Sequence, residues 1–269
     1  MHEIHGRITG PDILSHIRRP ETASHKGQNG RLLIIAGSEK YHGSLLLAMQ
    51  IASRIVDTVY VFSSKNNVRL LERLRERMAA FIAVFEEELW QTVELVDAIL
   101  IGPGLAEDDG THQRVKKLLT EYRDKKTVID ATALWHVDPN LLHEQCIVTP
   151  HSREFSHVFG CEPSAVNVLA MAKQYTCTIV LKGRIDYISN GQKVYENHTG
   201  NVGMTKGGTG DVLAGMIAAF AATSDLLVSA LAGVYLNGLA GDRLFERVGT
   251  LYNAEDVMKQ LGTLWKEYI

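Results

Sequence analysis

Cysteine is scarce in this chain of 269 residues: there are only Cys146, Cys161 and Cys177, an odd number without CxxC spacing. That excludes a disulfide framework or a structural zinc site, and it points to a reducing compartment with inert, buried thiols. Excess charge is missing too. A net charge of −3 leaves no global field to recruit nucleic acid or an anionic membrane, so neither is expected as a partner. An anionic ligand needs a local site instead. The first residues, Met1-His2-Glu3-Ile4-His5, lack the apolar run of a signal peptide. His2 and His5 read as a loose terminus, not a metal site. The greasiest stretch, Val212 to Ala240, is broken by Thr223-Ser224-Asp225. Each half is too short for a bilayer and reads as a buried helix, so a cytoplasmic location is expected. There is no tandem repeat, low-complexity segment or linker, and residues 1–269 are expected to form a single domain. With 45% apolar and 22% charged residues, the composition suits one large globular α/β unit.

What is present is a rhythm of short β-branched runs and longer helical stretches. Strands are expected at 32–36, 59–62, 98–101, 127–129, 146–148 and 178–181. Helices are expected at 44–56, 68–78, 112–122, 154–159, 165–175, 211–220 and 228–245. Short, continuous apolar strands separated by helices imply a mostly parallel sheet covered on both faces. The pattern changes at Ile185-Asp186-Tyr187-Ile188 and Lys193-Val194-Tyr195, which flank Asn190-Gly191, a strong hairpin signal. An antiparallel hairpin is therefore expected at one edge of the sheet. In open α/β sheets ligands bind beyond the carboxyl ends of the strands. The residues there are Gly37, Ser38, Ser63, Gly102, Gly104, Asp130, His151, Lys182 and Gly183. These small and polar residues are expected to line one continuous cleft.

The chemistry concentrates in the loop from Gly203 to Gly215, G-M-T-K-G-G-T-G-D-V-L-A-G. Glycines let backbone amides approach an anion, and a helix N-terminus adds unpaired donors and a positive dipole end. Asp211 falls in the first helical turn, beside the place where a transferring phosphoryl group would sit, ready to take a proton from an attacking hydroxyl. The plainer alternative is a tight loop with Asp211 capping its helix. The loop is neither a Walker A motif nor a Rossmann fingerprint. Other strand-end residues carry paired readings as well. Gly102-Pro103-Gly104 is a ligand loop or a rigid turn, and His151 a ligand or a core histidine. Lys182 either meets phosphate or snorkels, and Asp130 reads as a helix cap.

Gly207-Gly208-Thr209-Gly210-Asp211 resembles the G-[AGT]-G-D signature of ribokinase-like kinases. More closely, the chain resembles the ADP- or ATP-dependent NAD(P)H-hydrate dehydratase family. The similarity runs in order through His25-Lys26-Gly27, Ile34-Ile35-Ala36-Gly37-Ser38, Tyr41-His42-Gly43-Ser44 and Asp97 to Leu105. It goes on through Asp130-Ala131, Val148-Thr149-Pro150-His151, Val180-Leu181-Lys182-Gly183, Thr199 to Gly215 and Gly238 to Asp242. The resemblance implies a three-layer ribokinase-like α/β fold without the epimerase domain the family often carries. It implies that a hydroxyl on the hydrated nicotinamide ring of NADH or NADPH is phosphorylated by ADP or ATP, and that phosphate then leaves; Mg2+ is expected from the need to neutralise nucleotide phosphates. The resemblance makes Asp211 the catalytic base and Gly208, Thr209 and Gly210 the anion hole. It assigns Lys182, Gly183, Arg184, Ile185, Asp186 and Gly210 to the nucleotide. Ser44, Gly104, His151 and Asp211 go to the hydrated dinucleotide, no protein metal ligand is assigned, and a homo-oligomer, commonly a tetramer, is implied. The chain departs from the family pattern at Thr132, at Trp135, at Ser152-Arg153 and at Val56-Asp57-Thr58. A ribokinase-like kinase acting on a sugar or vitamin-precursor hydroxyl shares the same loop. A nucleotide sensor without turnover is a third reading, which an intact Gly210-Asp211 pair opposes.

Overall fold

A computed structural model describes residues 7–64, 67 and 80–268. The strands are β1 (Arg7–Ile8), β2 (Arg31–Ile35), β3 (Thr58–Phe62), β4 (Ile82–Val84), β5 (Ala98–Ile101), β6 (Lys126–Ile129), β7 (Cys146–Val148), β8 (Thr178–Leu181), β9 (Asp186–Ser189) and β10 (Val194–Asn197). The helices are α1 (His42–Ala52), α2 (Leu89–Leu95), α3 (Asp109–Glu121), α4 (Ser152–Phe159), α5 (Ala165–Gln174), α6 (Thr209–Ala221), α7 (Leu226–Val248) and α8 (Ala254–Tyr268). The helix expected over 68–78, like His2 and His5, lies outside the described residues. No helix among the described residues is long and apolar enough to cross a membrane.

The strands form one sheet in the order β1-β10-β9-β8-β7-β6-β5-β2-β3-β4. From β4 through β8 every pairing is parallel. The β9–β10 hairpin turns at Asn190-Gly191 and adds the antiparallel pairings at one end, where β1 runs beside its outer strand. Residue alternation explains the layers. Leu32 and Ile34 of β2 join Ala48, Met49, Leu213 and Ile217 on one face, and Leu33 and Ile35 join Leu118, Phe155 and Val168 on the other. Helix α6 has a second apolar side, covered by α7 and α8 through Val212, Met216, Phe220, Leu236 and Leu261. A helix buried nearly all round needs no polar face, which is why 212–221 reads so greasy.

Strand β1 and three further elements go beyond the sequence expectations. Strand β4 and helix α2 span three and seven residues, too short to show a period. Helix α8 does carry a signal: Ala254, Val257, Met258, Leu261 and Leu264 are buried at helical spacing. Helix α1 stops at Ala52, short of the expected Val56. The next residues turn instead, so that the Asp57 amide can reach the Gly30 carbonyl at 3.1 Å and start β3.

The carboxyl ends of the parallel strands do gather on one edge. Two of the cavities along that edge are large. The first, about 690 Å³, lies beyond β2 to β5 among Ser38, Ser63, Leu105 and Arg114. The second, about 660 Å³, lies between the loop after β8, the loop after β10 and helices α6 and α7. Gly104 packs against Ser44 at the start of α1, and the Ser44 hydroxyl hydrogen-bonds Asp211.

Candidate active site at the start of helix α6

Gly208 precedes α6 with a φ of 99°, a conformation that L side chains rarely adopt. A Cβ there would also stand 2.6 Å from Leu47 and 2.9 Å from Ala254. The Thr209 hydroxyl donates to the Met204 carbonyl at 2.7 Å and ties the loop back on itself. The helical ladder then opens with the Val212 amide on the Gly208 carbonyl. Within that first turn the amides of Thr209, Gly210 and Asp211 have no helical acceptor. The side of Gly210 is open, and the nearest atom to a Cβ built there is Lys182 Nζ at 3.9 Å. An ammonium thus faces the positive end of a helix across an unfilled gap, an arrangement that attracts an anion.

Three strand ends hold Lys182 in place. Its Nζ donates to Asp130 Oδ1 at 2.7 Å, and the Thr149 hydroxyl donates to the same oxygen at 2.8 Å. Asp130, Thr149 and Lys182 follow β6, β7 and β8 respectively. Burial works against the Lys182 charge, but Asp130, Glu154 and Asp211 together hold its pKa above the ordinary value. Asp211 sits at the third position of α6. Burial, reinforced by Asp130, raises its pKa to about 6, against the opposing pull of the Ser44 hydrogen bond and Lys182. A carboxylate with a pKa near neutrality can take a proton.

His151 is the N-cap of α4. Its Nδ1 accepts the amides of Arg153 and Glu154 at 3.1 and 3.2 Å, and Glu154 returns the favour by accepting the His151 amide at 2.8 Å. With Nδ1 so used, the neutral ring carries its hydrogen on Nε2. Burial first, then Lys182, lowers the His151 pKa. Burial raises the Glu154 carboxyl to about 7, against Lys182 and the His151 amide. The imidazole is half exposed, so it is not a core histidine.

The resemblance-derived nucleotide residues fall on the second cavity with one exception. Lys182, Gly183, Arg184 and Asp186 line it together with Thr209 and Gly210. Ile185 instead faces an adjoining groove beside Ser152 and His198. Asp186 accepts the Gly183 amide at 3.0 Å and the Asn197 side-chain amide at 2.9 Å, which shapes the loop. Across the cavity, Asp242 accepts from the Gly200 amide and the Asn201 side chain at 2.9 and 3.0 Å.

Two groups at the centre play parts that sequence reasoning does not give them. Asp130 reads as a cap, yet its side chain makes no cap hydrogen bond and instead grips Lys182. Glu154 escapes notice because its role depends on a fold that brings α4 beside β8. The capping spacing His151-x-x-Glu154 was the available signal.

Comparison with known proteins agrees with this geometry. A sequence profile described as NAD(P)H-hydrate dehydratase matches residues 32–262. The bifunctional NAD(P)H-hydrate repair enzyme Nnr of Methanocaldococcus jannaschii is 36% identical over 267 residues, covering 96% of this chain and 52% of its own length. The ADP-dependent (S)-NAD(P)H-hydrate dehydratase of Nitrosopumilus maritimus is 33% identical and covers 97% of each chain. The chain thus spans about half the length of the repair enzymes it matches and nearly all of the single-function relative. Among solved structures, the ADP/ATP-dependent NAD(P)H-hydrate dehydratase of Bacillus subtilis, co-crystallised with ATP and Mg2+, superposes with a TM-score of 0.83 at 25% identity, covering 98% of this chain and 99% of that one. A ribokinase-like superfamily protein of Enterococcus faecalis gives 0.87 at 28% identity, covering 97% and 96%. Profile, relatives and fold converge: this chain belongs to the NAD(P)H-hydrate dehydratase family.

Proposed function

We propose that this protein restores hydrated NADH and NADPH to the reduced cofactors in a reaction driven by ADP or ATP. The observation that carries the reading is the Asp211 carboxylate, held near neutrality in the first turn of α6 with the Lys182 ammonium across the open side of Gly210. In this reading the nucleotide lies along Lys182 to Asp186, and its terminal phosphate meets the amides of Gly208, Thr209 and Gly210. The hydrated ring lies at Asp211, with Ser44, Gly104 and His151 around it. Asp211 takes the proton of the ring hydroxyl, and the freed oxygen bonds to the terminal phosphorus as the bond to the departing nucleotide breaks. The ring-nitrogen lone pair then expels phosphate, and a proton leaves the neighbouring carbon to restore the double bond. Positioning and electrostatics carry most of the rate, since phosphoryl transfer asks for little else.

Magnesium fits this reading as a companion of the nucleotide. Among the described residues no group of three or more His, Cys, Asp or Glu side chains could hold a metal on its own. The ion would therefore arrive on phosphate oxygens, consistent with hard-cation preferences. When bound it neutralises phosphate charge.

The test mixes the protein with hydrated NADH, Mg2+ and either ADP or ATP. Recovery of reduced-nicotinamide absorbance, lost in Asp211→Asn, is the expected result. A stable phosphoester without recovery would mark a kinase, and no turnover with either nucleotide would sink the enzyme reading.

A further inference from the structure

We infer that Asn237 reads the base of the nucleotide, its side-chain carbonyl accepting a hydrogen bond from the 6-amino group of adenine. This rests on the nucleotide-dependent reading above and adds the base selectivity of that site. Asn237 lies midway along α7, 5% exposed, on the same helix face as Val234 and Gly238, and all three line the second cavity. Leu213 and Met204 supply apolar lining from other elements. At about 660 Å³ the cavity has the size of a nucleotide site, and its apolar lining suits a flat purine.

Other polar side chains of this wall already have partners. Asn201 Oδ1 accepts from the Gly203 amide and the Tyr252 hydroxyl. The Thr199 hydroxyl donates to Asn197, and the Thr209 hydroxyl to the Met204 carbonyl. Asn237 differs. Its Oδ1 is buried without any hydrogen-bond partner, and its Nδ2 reaches only the Thr209 carbonyl, at 3.5 Å. That contact sets the sense of the amide, because turning it over would press two carbonyl oxygens together. The result is a buried, unpaired acceptor on a side chain that lines the cavity, and buried polar groups are ordinarily paired. The 3.5 Å tether is slack and the amide torsion of Asn is broad, so a modest rotation brings Oδ1 to a ligand donor. Adenine offers an amino group there. Hypoxanthine and guanine carry an oxygen at the same ring position, which would meet Oδ1 acceptor to acceptor.

The experiment is calorimetric titration with Mg2+ and four nucleotides: ADP, the inosine 5′-diphosphate, the purine riboside 5′-diphosphate that lacks the amino group, and 2′-deoxy-ADP. Wild-type protein is expected to bind ADP at least about tenfold more tightly than the first two analogues, the loss that follows an unmade hydrogen bond to a buried acceptor. 2′-Deoxy-ADP is expected to bind like ADP. In Asn237→Leu and Asn237→Ala, thermal melts permitting, the ratio should collapse to within about twofold through loss of ADP affinity. The wild-type comparison stands even if neither variant folds. Equal affinity for ADP and the two base analogues overturns the inference, and so does a preference that survives both substitutions. A loss confined to the 2′-deoxy ligand overturns it too, by assigning Asn237 to the ribose. If ADP restores absorbance while base selectivity is absent, only this inference falls. If no nucleotide binds, the functional reading falls with it.

Discussion

In the proposed reaction Asp211 serves chemistry at the expense of stability. Its folded pKa of about 6 lies above the ordinary carboxylate value, chiefly through burial and then through Asp130. The folded protein therefore binds this proton more tightly than the unfolded chain. Its contribution to stability is present below about pH 4, falls as pH rises through about 6, and stays lost above that. The same group must be ionised to act as a base, so activity is expected to drop as pH falls through about 6. Asp211→Asn removes the buried charge. It should abolish turnover yet melt higher than wild type at pH 8, by up to about 3 kcal/mol, with the advantage gone near pH 4. Calorimetric melts of both proteins across that range, run beside a pH–rate profile, test both halves. Equal melting at pH 8 would show that Asp211 is not destabilised by its surroundings. Thr132 and Trp135 have no such account: Thr132 donates to the Leu105 carbonyl, and nothing else in the structure explains the departure of either from the family pattern.

Among the elements, α4 matters because a single residue both starts the helix and stands at the site. His151 closes the capping box with Glu154, a contact worth on the order of 1 kcal/mol. Asn also caps well, so the two roles can be separated. His151→Ala should lower stability by about 1 kcal/mol, and His151→Asn should restore most of it. Both should weaken turnover if the ring also meets the dinucleotide, as a raised KM in steady-state kinetics. Recovery of activity by Asn would reduce His151 to a cap. The distance between partners explains what could be read from the sequence. Strands β2, β5 and β8 announce themselves as unbroken apolar runs, and the hairpin by Asn190-Gly191, because these signals are local. The glycine-rich loop was legible for the same reason. The grip of Asp130 on Lys182 was not, since the two stand 52 positions apart and only a parallel sheet with β6, β7 and β8 side by side brings them together. Nor could spacing reveal that Gly104 packs against Ser44.

For the whole molecule, the layers place reporters far from the ligand. Cys146 and Cys177 are buried with the apolar cluster under α3, α4 and α5, away from the second cavity on the α6 and α7 side. Burial pushes the Cys146 thiol up to about 12 and raises Cys177 well above its usual value. The thiolate is the reactive form, so both should resist a thiol reagent until the structure opens, while the partly exposed Cys161 reacts first. We propose that residues 1–269 unfold as one cooperative unit, as a single shared sheet suggests. A nucleotide binding only the folded state then stabilises by about 2.7 kcal/mol at a hundred times its Kd, lowering the open population about a hundredfold. ADP should therefore slow labelling of Cys146 and Cys177 by that factor when opening and closing are fast, and leave Cys161 nearly unchanged. Mass spectrometry of pulse-labelled protein reads all three sites at once. If ADP raises the melting temperature but leaves labelling of Cys146 and Cys177 untouched, the layer beneath the sheet opens independently of the cleft, and the single-unit proposal fails.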